Sequence, residues 1–172
     1  MRLCTDPETV YISSFSKTLG AGLRVGYIVP GSCFEKAFSV ISSTTMSAPG
    51  LTQEIVSGLL AGGGYDRHLR FLRSLYARNV STVYSLICKY FPSGIKVTRP
   101  SGSFYLWVEL PNPLDTGELS RRVLEKGLLL VPGSVFSPDG EYGNYLRLGL
   151  ARRFTRDEAE QAVRELAGLI SL

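Results

Sequence analysis

The chain has 172 residues, of which 44% are hydrophobic and 20% charged, and its net charge is +4. This composition is that of a soluble globular protein of about one domain, and its longest apolar runs are too short to cross a bilayer. The small positive charge permits anionic ligands but does not by itself indicate nucleic-acid binding.

The first part of the chain predicts two strands followed by two helices. The β-rich residues 9–12 predict a strand, and residues 23–29 predict a second one. Ser32, with Glu35 three residues later, has the spacing of a helix capping box. Residues 47–49 predict the start of a second helix, which ends at the glycines 62–64. Two strands are too few for a covered sheet, so we expect this region to belong to a larger domain.

A long amphipathic helix is predicted from residue 65 to about residue 91. Its apolar residues recur at spacings of three and four and so lie on one face. They are Leu69, Leu72, Tyr76, Val80, Val83 and Ile87. The arginines at 67, 70, 73 and 78 lie largely off that face, where a solvated or ion-paired role is expected.

Short alternating elements follow and predict a small α+β domain. The pattern predicts strands at 96–98, 104–108, 128–131 and 145–150, and a helix at 116–126 that stops at Gly127. Thr155 and Glu158 form a capping box that opens the last helix. The chain is therefore predicted to comprise part of a larger domain (1–64), a linking helix (65–94) and the small domain (95–172).

The polar segment between the first two predicted strands carries the candidate chemistry. Lys17 follows a strand on a turn, Ser14 and Ser16 offer hydroxyls, and Arg24 offers a planar fork suited to phosphate oxygens. A lysine in such a place can act as an amine nucleophile toward an aldehyde. A solvated loop with a surface lysine explains the same residues, and composition alone favours that alternative.

The full segment S-S-F-S-K-T-L-G-A-G-L-R-V-G-Y, residues 13–27, resembles the lysine segment of fold-type I pyridoxal-phosphate (PLP) enzymes, the aspartate aminotransferase superfamily. It is most similar to aminoadipate-type aminotransferases and to the aminotransferase-like domain of MocR/GntR-type regulators. The resemblance implies that Lys17 is the Schiff-base lysine and moves the substrate Cα proton. It also implies that Ser14, Arg24 and, as a weaker candidate, Ser16 hold the cofactor phosphate.

Three later segments are similar to the same family. Residues 100–107 resemble its P-x-G-G-x-F-x-W strand, with Ser103 where a second glycine is usual. Residues 131–136 resemble the P-G-x-x-F turn of its small domain. Residues 144–150 resemble its N-x-x-R-L segment, which implies that Arg147 binds the substrate α-carboxylate in a bidentate pair.

The resemblance spans the whole chain but only the latter half of the catalytic fold. It implies an α/β architecture made of the end of the large-domain sheet, a long interdomain helix and a small α+β C-terminal domain. The family's aspartate at the cofactor ring nitrogen lies upstream of this sequence, and Asp6 is too close to Lys17 to replace it. We therefore expect a fragment with weak catalysis at best on its own.

Three functions remain open from the sequence. The first is part of an aminotransferase that acts on amino acids and 2-oxo acids as a homodimer. The second is the effector domain of a MocR/GntR-type regulator, favoured by the run Y-D-R-H-L-R-F-L-R at 65–73, with DNA bound through an upstream domain. The third is a non-catalytic remnant, whose bare apolar faces predict self-association. The lone histidine, His68, is assigned no role.

The cysteines and the N-terminal residues indicate the cellular compartment in which the protein is expected. Cys4, Cys33 and Cys88 are odd in number and widely spaced, so they predict neither a disulfide framework nor a metal site. The N-terminal residues lack the apolar core of a secretion signal. A reducing cytoplasm is the location expected.

Overall fold

The computed structural model describes residues 9–44, 47–111 and 114–170. The chain divides between residues 72 and 73 into an N-terminal unit and a C-terminal unit. No helix in these described ranges is long and apolar enough to cross a membrane. The two cysteines that they contain, Cys33 and Cys88, are exposed free thiols; Cys4 lies outside them.

The N-terminal unit contains a two-stranded antiparallel sheet and helices. Its strands β1 (Tyr11–Ser14) and β2 (Gly26–Val29) pair with Ser14 opposite Gly26. The helices α1 (Phe34–Thr44) and α2 (Gly50–Ala61) follow, and α3 (Gly64–Tyr90) begins in this unit. Its buried apolar core consists of Phe15, Val25 and Val56. The helix faces around this small core are bare, with Phe34, Phe38, Leu51 and Ile55 among the exposed hydrophobic residues.

Local backbone geometry shortens the predicted elements of this unit. The second strand begins at Gly26 because residues 21–23 form a 3-10 turn and Arg24 has a left-handed backbone, with φ of 53°. Helix α1 begins at Phe34 because a 3-10 turn, Gly31–Cys33, precedes it. Ser32 lies inside that turn, ahead of the α-helical segment, and its capping role stays a prediction.

Helix α3 is a continuous element of 27 residues. Its apolar face packs in the C-terminal unit, where it buries Leu75, Val83, Leu86 and Ile87 together with the polar Asn79. The Asn79 amide donates to the carbonyl oxygens of Leu150 (2.8 Å) and Arg152 (2.9 Å), which satisfies this buried group. The helix ends before Pro92, as the sequence predicts.

The C-terminal unit is a four-stranded antiparallel sheet covered on one face by helices. The strands are β3 (Lys96–Val97), β4 (Tyr105–Glu109), β5 (Val131–Pro132) and β6 (Tyr145–Gly149), in the order β3-β4-β6-β5. Burial alternates along β4, so Leu106 and Val108 face the core while Tyr105 and Trp107 face the other side. The core also contains residues of α3, α4 (Thr116–Leu124) and α5 (Arg156–Ile170).

Two sequence predictions for this unit meet different outcomes. The strand predicted at 128–131 is wrong in extent, because Leu128 N closes a helical turn on Val123 O and only Val131 and Pro132 join the sheet. The capping box of α5 is confirmed. Thr155 N donates to Glu158 Oε2 (2.6 Å), and Glu158 N donates to Thr155 Oγ1 (3.2 Å).

Candidate functional site

The turn that carries Lys17 is a 3-10 helix, Phe15–Lys17, that starts where β1 ends. Ser14 caps it, because its Oγ accepts a hydrogen bond from Ser16 N at 3.0 Å. The hydroxyls of Ser14 and Ser16 are 2.9 Å apart and hydrogen-bonded. Two hydroxyl groups are thus held side by side next to Lys17.

Phe15 anchors this turn to the core of the N-terminal unit. Its ring is buried against Tyr27 (centroids 5.4 Å apart) and Tyr65 (5.8 Å). Its N–H donates to Val25 O, and its carbonyl accepts from the N–H groups of residues 18–20. Because the Phe15 side chain is buried in the core, the turn is held in place while Lys17 is exposed. The Lys17 amine makes no ion pair or hydrogen bond with any described residue.

Arg24 lies beside the same turn, and its backbone has a left-handed conformation that is unfavourable for residues other than glycine. A left-handed backbone costs a non-glycine residue about 1–2 kcal/mol. Arg24 is exposed, and no described residue pairs with its guanidinium. Two residues later, the backbone of Gly26 approaches Ser13 so closely that a Cβ would lie 3.0 Å from the Ser13 carbonyl oxygen. The backbone of Arg24 is thereby brought next to the strand end that carries Ser14.

The start of α3 holds the residue after Lys17 from two directions. Tyr65 OH donates to Thr18 Oγ1 (3.0 Å), and His68 Nε2 lies 2.7 Å from Thr18 O. Since a carbonyl oxygen only accepts, His68 Nε2 must carry a proton. Sequence reasoning assigned no role to His68. The spacing of three residues between Tyr65 and His68, which places both on one helix face, was the available signal.

Arg147 lies at the centre of β6, on the sheet face away from the helices. Its cross-strand partners are Trp107 on β4 and Val131 on β5. Its Cζ lies 4.4 Å from the ring centroids of both Tyr105 and Phe136. Its Nε is enclosed and has no hydrogen-bond partner among the described residues. No described residue forms an ion pair with this half-buried cation, and an uncompensated charge there is costly, so the guanidinium is suited to an anionic ligand.

Further aromatic rings extend this face beyond Arg147. Trp107 contacts Phe136 edge-on (5.6 Å) and stacks on Tyr145 (5.5 Å). Lys96 Nζ donates to Glu109 at 2.9 Å, and this contact lowers the pKa of the Glu109 carboxyl and raises that of Lys96. A hydrogen bond to Glu109 raises the pKa of Tyr145. The positive charge of Lys96 is therefore balanced by Glu109, whereas no described carboxylate balances that of Arg147.

The structure brings together the residues predicted for the cofactor. Ser14, Ser16, Lys17 and Arg24 all belong to the N-terminal unit, on one turn and the segment beside it. Arg147 belongs to the C-terminal unit. In the described ranges, no group of His, Cys, Asp or Glu side chains is suited to a metal ion.

Sequence comparison identifies the family of the chain. The profile described as "Aminotransferase class I and II" matches residues 1–166, nearly the whole chain. The chain belongs to this family. The N-terminal turn and the Arg147 strand of this family member are thus parts of an aminotransferase-type domain.

Individual relatives fall into two groups. An uncharacterized HTH-type transcriptional regulator of Escherichia coli, YjiR, is 36% identical over 85% of this chain. The α-aminoadipate aminotransferase LysN of Thermus thermophilus, solved with N-(5'-phosphopyridoxyl)-L-leucine, has a TM-score of 0.85 at 31% identity over 94% of the chain. The kynurenine aminotransferase of Pyrococcus horikoshii, solved in complex with PMP, has a TM-score of 0.86 at 26% identity over 97% of the chain.

These similarities confirm the fold predicted from the sequence, which is that of fold-type I PLP aminotransferases. The chain spans only part of each relative: 31% of the regulator and 41% of each of the two aminotransferase structures. The chain therefore corresponds to less than half of the length of each of these proteins.

Proposed function

We propose that this chain is the lysine-bearing part of a PLP-dependent aminotransferase domain, which transfers an amino group between an amino acid and a 2-oxo acid. The observation that carries the proposal is the turn at the end of β1. It presents the unpaired amine of Lys17 beside two hydroxyls, on a turn that the buried Phe15 anchors to the core. A loop that only contacts solvent does not require such an anchor.

The residues present fit a phosphate-bearing aldehyde. The Ser16 hydroxyl can donate to a phosphate oxygen, and the Ser14 hydroxyl can do so once it exchanges its hydrogen bond to Ser16 for one to the phosphate. The unpaired guanidinium of Arg24 supplies charge in a fork that suits two phosphate oxygens. The left-handed backbone of Arg24 supports the same role, because strained residues of this kind cluster at ligand sites. We propose Ser14, Ser16 and Arg24 as the phosphate-binding residues of this site.

The proposed mechanism assigns a role to each residue. When bound, PLP would supply an electron-withdrawing ring that stabilises negative charge at the substrate Cα. Lys17 Nζ would hold the cofactor at its aldehyde carbon, and the lysine amine would also carry the proton to and from the substrate Cα. Arg147 holds the α-carboxylate of the substrate, which fixes the orientation of the Cα substituents.

The similarity to YjiR supports a second candidate, the ligand-sensing domain of a MocR/GntR-type regulator. The same residues would then bind cofactor and amino acid to shift a conformational equilibrium, and DNA would be bound by a separate upstream domain. A winged-helix region encoded upstream would favour this candidate. A chain that folds but binds no cofactor would instead be a non-catalytic remnant.

The remaining features of the parent are proposed on the same basis. We propose residues 1–64 as part of its large domain, 65–94 as its linking helix and 95–172 as its small domain. We further propose a homodimer in the cytoplasm, the location suggested by the absence of a disulfide pattern among its three cysteines.

The first test is titration of the chain with PLP, followed by borohydride reduction and peptide mapping. We expect the reduced label on Lys17 and its loss in Lys17→Ala, with the matched surface variant Lys36→Ala unchanged. We expect Arg24→Gln to weaken PLP binding about 10-fold or more, since a charge-assisted hydrogen bond contributes about 1.5–3 kcal/mol. Label scattered over several lysines would contradict the proposal for this chain.

A further inference from the structure

The guanidinium of Arg147 is held by aromatic rings from two neighbouring elements. Tyr105 belongs to β4, and Phe136 ends the 3-10 turn that follows β5. In the strand order β6 lies between β4 and β5, so the two rings come from chain segments that belong to or follow different neighbours of β6. Both centroids lie 4.4 Å from Cζ, well inside the range of a cation–π contact.

This packing limits how an anion can reach Arg147. The enclosed Nε is closed to solvent, and no described residue accepts a hydrogen bond from the side chain. The terminal Nη groups are therefore the donors left for a ligand. A carboxylate can meet them end-on, with its two oxygens on the two Nη atoms, in the bidentate geometry that arginine favours.

The surface around Arg147 on this face of the sheet is aromatic. Trp107, the cross-strand partner of Arg147, contacts Phe136, and Tyr142 contacts Trp107 edge-on with centroids 6.0 Å apart. Phe136 and Tyr142 are each 43% exposed, so their rings are available to a ligand. The other cation described on this face, Lys96, is already paired with Glu109.

We propose that Tyr105 and Phe136 are positioning residues for Arg147 and that this face binds monocarboxylates with an aromatic substituent in preference to dicarboxylates. The rings fix the plane of the guanidinium, so a carboxylate finds its donors already oriented. The substituent of the ligand packs against Phe136 and Trp107, where a second carboxylate would lose its hydration without gaining a partner. The inference rests on the proposed role of Arg147 in carboxylate binding.

The test uses the chain without PLP and the fluorescence of Trp107, its single tryptophan. The probes are 3-phenylpropanoate, the dicarboxylate adipate, and 3-phenylpropanamide, which has the ring without the charge. We expect 3-phenylpropanoate to bind about 2- to 12-fold more tightly than adipate, as one aromatic contact allows, and we expect no saturable response to the amide.

Variants separate positioning from general packing. We expect Phe136→Leu to weaken 3-phenylpropanoate binding about 2- to 5-fold, the range for loss of a partly exposed cation–π contact. Phe136→Tyr, which keeps the ring, should restore the affinity, and Phe38→Leu, a matched change at an exposed ring of α1, should leave it unchanged. Circular dichroism of each variant identifies any that do not fold, and the tyrosine variant remains informative if the leucine variant is one of them.

Several outcomes would overturn the proposal: equal affinity for the two acids, no binding of either, or equal effects of Phe136→Leu and Phe38→Leu. None of them depends on Lys17, so labelling of Lys17 by PLP alongside any of them would leave the proposed cofactor role standing. Conversely, selective carboxylate binding without Lys17 labelling would support this inference and count against the cofactor role.

Discussion

Thr18 shows how one residue can fix the geometry of its neighbour. Its carbonyl oxygen and its hydroxyl are bound by His68 and Tyr65, and its N–H is bound by the Phe15 carbonyl. With these groups held, the backbone directly after Lys17 has little freedom. The direction in which the lysine leaves the turn is therefore set partly by α3, although neither α3 residue touches the amine.

We predict that His68→Leu lowers the yield of borohydride-fixed label on Lys17 at a sub-saturating PLP concentration. The change leaves the Thr18 carbonyl without its donor, which loosens the turn at a cost of about 1–3 kcal/mol. His68→Gln keeps an N–H donor and should recover part of the yield. Arg70→Leu, at an exposed position two residues further along α3, is the control. Equal label yields in His68→Leu and Arg70→Leu would refute the positioning role of His68.

Ser103 occupies the position where the family usually has glycine, and its φ is 74°. Glycine adopts this region without steric cost, whereas serine is strained there by about 1–2 kcal/mol. We predict that Ser103→Gly stabilises the chain by about 1 kcal/mol, after allowing for the added freedom of the unfolded chain. Urea unfolding measures this change. Ser101→Gly, at an exposed residue without a positive φ, should be destabilising, and equal losses in the two variants would contradict the argument.

At the scale of elements, helix α5 depends on its first turn. Glu158 accepts from the Thr155 N–H and hydroxyl, and these hydrogen bonds lower the pKa of the Glu158 carboxyl below its usual value. The folded state therefore favours the ionised form. The contribution is present above the unfolded pKa and is lost as the pH falls through the lower, folded pKa.

We predict that the melting temperatures of the wild type and of Glu158→Gln differ most near neutral pH and converge in acid. Protonation removes from the wild type the same charge that the substitution removes. Thermal melts at a series of pH values between about 7 and 3 would show this convergence. Glu141→Gln, at an exposed loop glutamate, should follow the wild type throughout. A gap that stayed constant with pH would exclude the ionised cap as its cause.

Asn79 connects α3 to the end of β6 through its buried amide. Asn79→Ala leaves the carbonyls of Leu150 and Arg152 without this donor, and we predict a loss of about 2 kcal/mol or more in the free energy of unfolding. Chemical denaturation measures the loss. Ser81→Ala, at an exposed position on the same helix, is the control. Since alanine is the best helix former, helix propensity predicts no loss in either variant. A loss of similar size in both would therefore contradict the assignment to the buried hydrogen bonds of Asn79.

At the scale of the whole molecule, the two units differ in how much they bury. Among the residues that the structure describes, the core of the C-terminal unit contains 15 buried apolar residues and that of the N-terminal unit contains three. Burial of apolar surface is the main source of stability, so the N-terminal unit has much less to hold it together. Its exposed hydrophobic side chains on α1 and α2 also favour self-association.

We predict that amide hydrogen exchange is slowest in β4, β6 and α5 and faster by orders of magnitude in β1, β2 and α1. Locally stable segments open only by global unfolding, whereas poorly buried ones open separately. Exchange followed by mass spectrometry at low protein concentration measures this difference. At higher concentration the rates for α1 and α2 should fall as copies associate. Equal protection in both units would show that they unfold as one.

Much of this architecture was predictable from sequence patterns. The spacing of apolar residues located α3 and α5, and the alternation in residues 104–108 and 145–150 located β4 and β6, because these periods directly reflect which side chains face a core. The lysine turn was located by its match to a family motif, since a short polar segment has no periodicity of its own.

Other features have no periodic pattern and could not be predicted in this way. The left-handed backbone of Arg24 is a local conformation, and Leu128 is kept out of β5 by its N–H, which donates to Val123 O. The rings around Arg147 come from separate elements, as do His68 and Thr18. Their proximity is a property of the fold rather than of any single segment.

The two exposed thiols have a practical consequence. Cys33 precedes α1 in the N-terminal unit, and Cys88 lies near the end of α3 in the C-terminal unit. With Cys4 replaced by serine, maleimide dyes would attach to one natural position in each unit. Energy transfer between the dyes would then report whether the distance between these two positions changes during PLP or carboxylate titration, without introducing a new cysteine.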